Sequence, residues 1–445
     1  MRGFLLDLNR CTGCHACMLA CSIENRLGEE NSWRQVYTFN AQRREGVSRF
    51  HLSLGCQHCS EPACMEACPA SAYERDPLTG AVLINSDHCI GCMYCSWACP
   101  FDAPRFNRRA GTISKCTFCN DRLHEGKNPA CTSLCPTGAL QITELPDEHE
   151  AQSIPGFPPT DLGPALQFAP LRFERTGPEL TALQEHSSSG GDFQTSDLSA
   201  TSKIAIESEW SLVFFSLAAA LLVAIVSAGV AGAVHIDPGD FLIAALGTMA
   251  VSLLHLGQWP RAWRAILNLR HSWLSREIAL YSAFTAITSA LLFFPAGAGL
   301  LAWPAVLAGF TTLFCIDQVY ESVSGNRWSR LHSARSLLTG LFLFGILTFN
   351  PPIAMLTGLS KLWLYAYRQS WSKSKSRALA AVLRLGLGFV APLAIWRVYP
   401  GWILPLVLAA EVIDRCEYYL DLDIMTPRRQ IAADLRKAMR PSSQR

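Results

Sequence analysis

Sixteen of the eighteen cysteines lie between Cys11 and Cys135, in four groups. The first is Cys11-x2-Cys14-x2-Cys17-x3-Cys21 and the second Cys56-x2-Cys59-x4-Cys64-x3-Cys68-Pro69. The third is Cys89-x2-Cys92-x2-Cys95-x3-Cys99-Pro100 and the fourth Cys116-x2-Cys119-x11-Cys131-x3-Cys135-Pro136. Two-residue spacings let one tight loop offer three thiolates to the corners of a cubane. The fourth cysteine, a turn further on, reaches the other cluster of a pair, as in the bacterial ferredoxin run C-x2-C-x2-C-x3-C-P. Sixteen thiolates make four sets of four, so the spacing predicts four 4Fe-4S clusters with every cysteine a ligand. Such an array is a relay for single electrons and leaves no open coordination position for catalysis. Zinc is the competing metal, but its sites commonly pair two separated C-x2-C knuckles, which leaves the tight triplets unexplained. A disulfide scaffold would need an oxidising compartment. The start, MRGFLLDLNRC, is interrupted by Asp7 and Arg10 and reads as no signal peptide.

The elements that must position these residues fall into regions of different composition. A chain of 445 residues has room for two or three domains, and a net charge of +2 gives no global reason to expect nucleic acid. Residues 1–145 hold the cysteines between short apolar stretches broken by Gly and Pro; metal binding would supply folding energy that a small core lacks. Residues 146–209 read as an extended linker, with Pro155, Pro158, Pro159, Pro164 and Pro170 and the flexible run Ser187-Ser188-Ser189-Gly190-Gly191. Its part PGFPPTDLGPALQFAPLRF is too apolar for a pure linker and reads as a partner-contacting surface segment.

From residue 210 to 422 eight apolar segments recur, at 211–233, 241–258, 277–295, 299–318, 336–350, 351–367, 379–397 and 401–420. Most approach the length that crosses a bilayer. The expected architecture is an α+β ferredoxin-like domain of two double-cluster modules followed by an all-α bundle of eight transmembrane helices. Arg261, Arg264, Arg270 and Arg276, then Arg327, Arg330 and Arg335, then Arg368, Lys373, Lys375 and Arg377 fall in alternate loops. Positive loops stay in the cytoplasm, which puts the cysteine domain on the cytoplasmic face of a bacterial cytoplasmic membrane. Residues 423–445 are a basic tail, a helix for the membrane surface or the end of the bundle.

Four cysteine groups in this order resemble the iron–sulfur subunits of the molybdopterin oxidoreductase family, nearest to dimethyl sulfoxide reductase. The PGFP…PAL segment resembles the tail of those subunits. Glu209-Trp210, His255-Leu256-Gly257 and Ser275-Arg276-Glu277-Ile278 resemble the membrane anchor subunit of the same enzyme. The two are separate chains in that family and look fused here. The resemblance implies that the first three cysteines of group one share a cluster with Cys135, and those of group four with Cys21. It likewise pairs group two with Cys99 and group three with Cys68. It further implies a quinol, of the menaquinol type, bound near His255 and Glu277, and a separate molybdopterin-containing catalytic subunit as partner. With both halves assigned, no catalytic residue for the terminal reduction is expected in this chain.

His255 ends the second segment and Glu277 opens the third, so a loop could fold them into one pocket able to accept quinol protons. An interfacial histidine and a helix N-terminal acid are the plain structural readings. Asp317, Glu321, Lys361, Arg384, Glu411 and Asp414 also fall in or near the segments, where charges need partners. Two alternatives stand beside this reading. One is a formate-type dehydrogenase module that reduces quinone; the other is a membrane-tethered ferredoxin that senses redox state. A haem-bearing anchor is disfavoured, since only His255 is well placed among the histidines.

Overall fold

The computed structural model describes residues 2–28, 32–146, 153–170, 206–294, 298–324, 332–371, 376–395, 398–422 and 424–439. The run Ser187–Gly191, with Arg327, Arg330, Lys373 and Lys375, lies outside them. The protein divides into two units, Met1–Thr201 with Met425–Arg445, and Ser202–Ile424.

In the first unit, β1 (Arg2–Leu6) is the centre of a three-stranded sheet. β8 (Leu140–Glu144) pairs with it antiparallel, Phe4 opposite Ile142, and β9 (Leu166–Phe168) pairs parallel, Phe4 opposite Leu166. Three hairpins flank it: β2 (Gln35–Phe39) with β3 (Phe50–Leu54), β4 (Tyr73–Arg75) with β5 (Val82–Ile84), and β6 (Arg105–Asn107) with β7 (Thr112–Ser114). Short helices α1 (Ala16–Glu24), α2 (Ala63–Ala67), α3 (Tyr94–Ala98), α4 (Asn120–His124) and α5 (Ala130–Ser133) follow the cysteine turns. Phe4, Leu6, Leu52, Phe118, Phe157 and Phe168 form one core with several of the cysteines. Part of the segment read as linker is therefore structural: Leu166 and Phe168 alternate inward as β9.

The second unit is helical: α6 (Ile206–Val230), α7 (Pro238–Leu253), α8 (Trp273–Phe293), α9 (Ala298–Val323) and α10 (Ser336–Leu347) come first. α11 (Pro351–Trp371), α12 (Ser376–Leu385), a π-turn at Gly386–Val390, α13 (Ala391–Ile395) and α14 (Ile403–Asp421) follow. Helix lies over every segment read as a crossing, but only three stretches among the described residues are long and apolar enough to span a membrane. These are Glu209–Val230, Gly299–Val323 and Ala378–Ile395; Pro238–Leu253 and Ser336–Leu347 are apolar but shorter. α14 departs from the apolar pattern because Glu411, Asp414, Arg415 and Glu417 are all turned into the unit's interior. Ala219, Ala220, Ala224 and Ala228 give α6 a fully buried face of small side chains, the kind that lets helices pack closely.

The last helix, α15 (Pro427–Ala438), belongs to the first unit. Thr426 caps it, accepting from Arg429 N at 3.2 Å. Its Ile431 and Leu435 enter the same core as Phe39 and Leu52, which is why one face of PRRQIAADLRKA is apolar. Gly156, at φ 84°, meets it: a Cβ there would lie 2.7 Å from Ile431 Cγ1. Gly156 N also donates to Asp434 Oδ2 at 2.7 Å.

Candidate metal centre

The cysteine loops reverse direction through left-handed residues that are not glycine: His15 (φ 64°), His58 (φ 44°), Met93 (φ 58°) and Phe118 (φ 60°). Such conformations persist only where the surroundings hold them. In these loops main-chain N–H groups point at sulfur: His58 N at Cys56 Sγ (3.5 Å), Gly91 N at Cys89 Sγ (3.4 Å) and Phe118 N at Cys116 Sγ (3.3 Å). Ala72 N does the same for Cys68 Sγ at 3.4 Å. Donors to sulfur favour the thiolate, the form that binds metal.

The fold draws the thiols into four sets of charge neighbours. Cys11 is grouped with Cys14, Cys17 and Cys135. Cys21 stands with Cys116, Cys119 and Cys131, and Cys59 with Cys56, Cys64 and Cys99. Cys68 joins Cys89, Cys92 and Cys95. Each set joins three cysteines of one group to the last of another. Neighbouring sets also meet electrostatically, through Cys17 and Cys131, Cys116 and Cys56, then Cys64 and Cys95, which links the four in that order. The Cys11 set is outermost: Cys14 is exposed and Cys11, Cys17 and Cys135 half-buried, while the other twelve are buried.

The residues fit an iron–sulfur core. A hollow is lined by Cys56, Cys59, Cys64 and Cys99, with Pro100, Phe101 and Val82 around them. Among the described residues no three Cys, His, Asp or Glu side chains converge closely enough to grip one metal ion. Burial pushes the Cys116 thiol up to about 11, with neighbouring Cys56 adding to it. Burial and neighbouring thiols push Cys21, Cys59, Cys64 and Cys92 higher still. Four thiolates cannot share such a space without a positive centre, which ligated iron provides. Cys135 differs: against burial, N–H groups of Leu140, Ala139 and Thr137 hold its thiol below the usual value.

Two buried cations among these thiols were not legible in the sequence: Arg34 meets Cys131, Cys116, Cys17 and Cys21, and Lys115 meets Cys64. Neither belongs to a motif; only the packing brings them in.

In the helical unit, His255 follows α7 and is half-buried. Its Nδ1 is buried, and the Ser252 carbonyl is the backbone group that the ring meets. Glu277 is buried one turn into α8. The groups that meet its charge are Asp317, Cys315, Tyr320 and Tyr419. No hydrogen bond or ion pair among the described residues joins it to His255. The charged residues of the later helices pair instead with one another. Lys361 Nζ is 3.0 Å from Glu411 Oε2, and Arg384 Nη2 is 2.6 Å from Asp414 Oδ2. Asp317 accepts from the N–H groups of Ser336 (2.6 Å) and Leu337 (3.1 Å), and Arg335 reaches Glu321 at 3.3 Å. Sequence reading missed His332 and Arg415 in this network and set Arg368 in a positive loop; Arg368 lies instead in α11, where it joins His332 and Glu417. Arg415 donates to Ser336 Oγ at 3.0 Å.

Residues 47–145 match the 4Fe-4S dicluster domain family. The protein is 37% identical over 187 residues to the B subunit of anaerobic dimethyl sulfoxide reductase from Haemophilus influenzae, covering 39% of this sequence and 91% of that one. It is 40% identical over 158 residues to the subunit of the same name from Escherichia coli, 33% of this sequence and 77% of the relative. To the formate dehydrogenase-O iron–sulfur subunit of Escherichia coli it is 37% identical over 154 residues, 31% and 51% respectively. With its cysteine array and these likenesses, the protein belongs, through its N-terminal portion, to the iron–sulfur electron-transfer subunits represented by the B subunit of anaerobic dimethyl sulfoxide reductase.

Proposed function

We propose that the chain is both the electron-transfer subunit and the membrane anchor of a larger oxidoreductase, and that it oxidises quinol of the menaquinol type. Four 4Fe-4S clusters, each held by one of the four cysteine sets, would supply one-electron transfer to a separate molybdopterin-containing catalytic subunit that reduces a dimethyl sulfoxide-like acceptor. Loss of two electrons from quinol releases two protons, and His255 and Glu277 are the residues assigned to receive them. The observation that carries this reading is the cysteine array in one chain with three long apolar helices. Eight crossings with the cluster domain on the cytoplasmic face are supported by Arg261, Arg264, Arg270 and Arg276 in one loop, set against the bare HIDPGD on the other side. The exposed Cys14 supports the Cys11 set as the place where a partner exchanges electrons.

The likeness to a formate dehydrogenase iron–sulfur subunit favours a second reading, in which electrons run from a catalytic partner to quinone. Anaerobic purification of the full chain from its native membranes tests both. A molybdenum-containing partner and quinol-driven reduction of dimethyl sulfoxide support the first, and formate-driven quinone reduction supports the second. Absence of both partner and quinol oxidation overturns the two together and leaves a redox-sensing ferredoxin.

A further inference from the structure

Arg34 lies amid the cysteine array although it is no ligand. It sits between α1 and β2 and is 2% exposed. Its Nη1 donates to Ser53 O at 3.1 Å and Ser53 Oγ at 3.2 Å. The same hydroxyl is 3.2 Å from Cys17 Sγ. The guanidinium lies over the Phe4 ring, 4.6 Å from its centroid. Nη2 is buried, and Cys131 Sγ is the sulfur that the guanidinium meets as a donor. The charges it meets are the sulfurs of Cys131, Cys116, Cys17 and Cys21, drawn from groups four and one.

A guanidinium stays charged, and taking it out of water unpaired is costly. Neutral thiols would not offset that cost. A thiolate-ligated cluster would, and more strongly once it has gained an electron. Net charge and hydrogen bonds to sulfur are the levers that set cluster potentials. We propose that Arg34 holds the cluster of Cys21, Cys116, Cys119 and Cys131 at a more positive reduction potential than its burial alone would allow. The cluster of Cys11, Cys14, Cys17 and Cys135 feels Arg34 less, through Ser53 and Cys17. Arg34 is thus a positioning residue for the electron, favouring its residence at one place in the series.

Lys115 supplies a comparison inside the same unit. It too is buried, but it spends its donors on carbonyls, those of Val82 and Cys116, and its charge meets Cys64 of another set. Replacing Arg34 should therefore leave the Cys56, Cys59, Cys64 and Cys99 cluster near its original potential.

The inference rests on the ligand sets proposed above, so iron, sulfide and the spectra of the unaltered protein are measured first; their absence would sink that reading, not this one alone. Redox titration followed by low-temperature electron paramagnetic resonance on the full chain then compares Arg34→Met and Arg34→Lys. The Met variant should keep its iron and lose about tenfold in the reduction equilibrium of one cluster, ~59 mV for a one-electron couple. The Lys variant keeps the charge but has no group at Nη2, so the same potential should fall by a smaller step. Should the Met variant lose iron, the Lys variant decides alone. Unchanged potentials in an assembled variant, or an equal fall in all four clusters, would overturn the proposal.

Discussion

Cys59 and Cys99 line one hollow although they belong to different cysteine groups, the second and the third. Each loop is thus incomplete without the other. Cys99→Ala should remove the same reduced-state paramagnetic signal as Cys56→Ala, whereas Cys89→Ala should remove the one lost in Cys68→Ala. Spectra of the four variants check this. If Cys99→Ala and Cys89→Ala silenced one and the same signal, ligands would not be exchanged between groups.

Lys361 and Glu411 join α11 to α14 with almost no exposure on either side, 0% and 4%. Lys361 also donates to Thr339 Oγ1 at 3.0 Å and to Ser333 O. Removing one member of such a pair leaves a buried charge uncompensated, at a cost of about 3–5 kcal/mol. Lys361→Met and Glu411→Met should each lower the unfolding temperature in detergent, and the double variant should recover most of the loss. Additive losses would mean that the two residues do not depend on each other.

α15 is held by apolar burial and by the Gly156–Asp434 hydrogen bond of 2.7 Å. Leu435 is 1% exposed, so Leu435→Ala should cost about 2–5 kcal/mol. Gly156→Ala should also destabilise, since it forces a side chain into a left-handed conformation against Ile431. Denaturant unfolding of the cluster-loaded protein, followed by its visible absorption, measures both. Unfolding midpoints equal to the unaltered protein would mean that the helix is dispensable to the cluster unit.

The quinol assignment has its own test. His255→Ala should abolish electron delivery from a menaquinol analogue in membranes, while reduction by dithionite still produces all cluster signals. Glu277→Gln should lower the rate and leave cluster content unchanged. Quinol oxidation at the original rate in the His255 variant would remove that residue from the site.

The sequence by itself determined the ligand chemistry and the division of the protein into a cysteine-rich and a helical part. Ligand spacing is a local property: C-x2-C places two sulfurs on one turn whatever the rest of the sequence does. Long apolar runs are equally local, and they separate the helical unit from the cysteine unit. Spacing left open which loop lends its last cysteine to which other loop, a pairing that only the resemblance implied, because it depends on how the strands between them pack. Tertiary structure decided that PGFPPTDLGPALQF supplies β9 beside β1, and that PRRQIAADLRKA sends Ile431 and Leu435 into the core of the first unit. Arg34, Lys115 and Arg368 belong to no motif, and their roles come from burial beside charges distant in sequence. The same holds for the charges at Lys361, Arg384, Glu411 and Asp414, which read singly as costly intrusions into apolar helices and are pairs in the fold. Spacing along a sequence reports what one turn can hold. Which turns meet is set by packing summed over the whole unit, and no short stretch of sequence carries that sum.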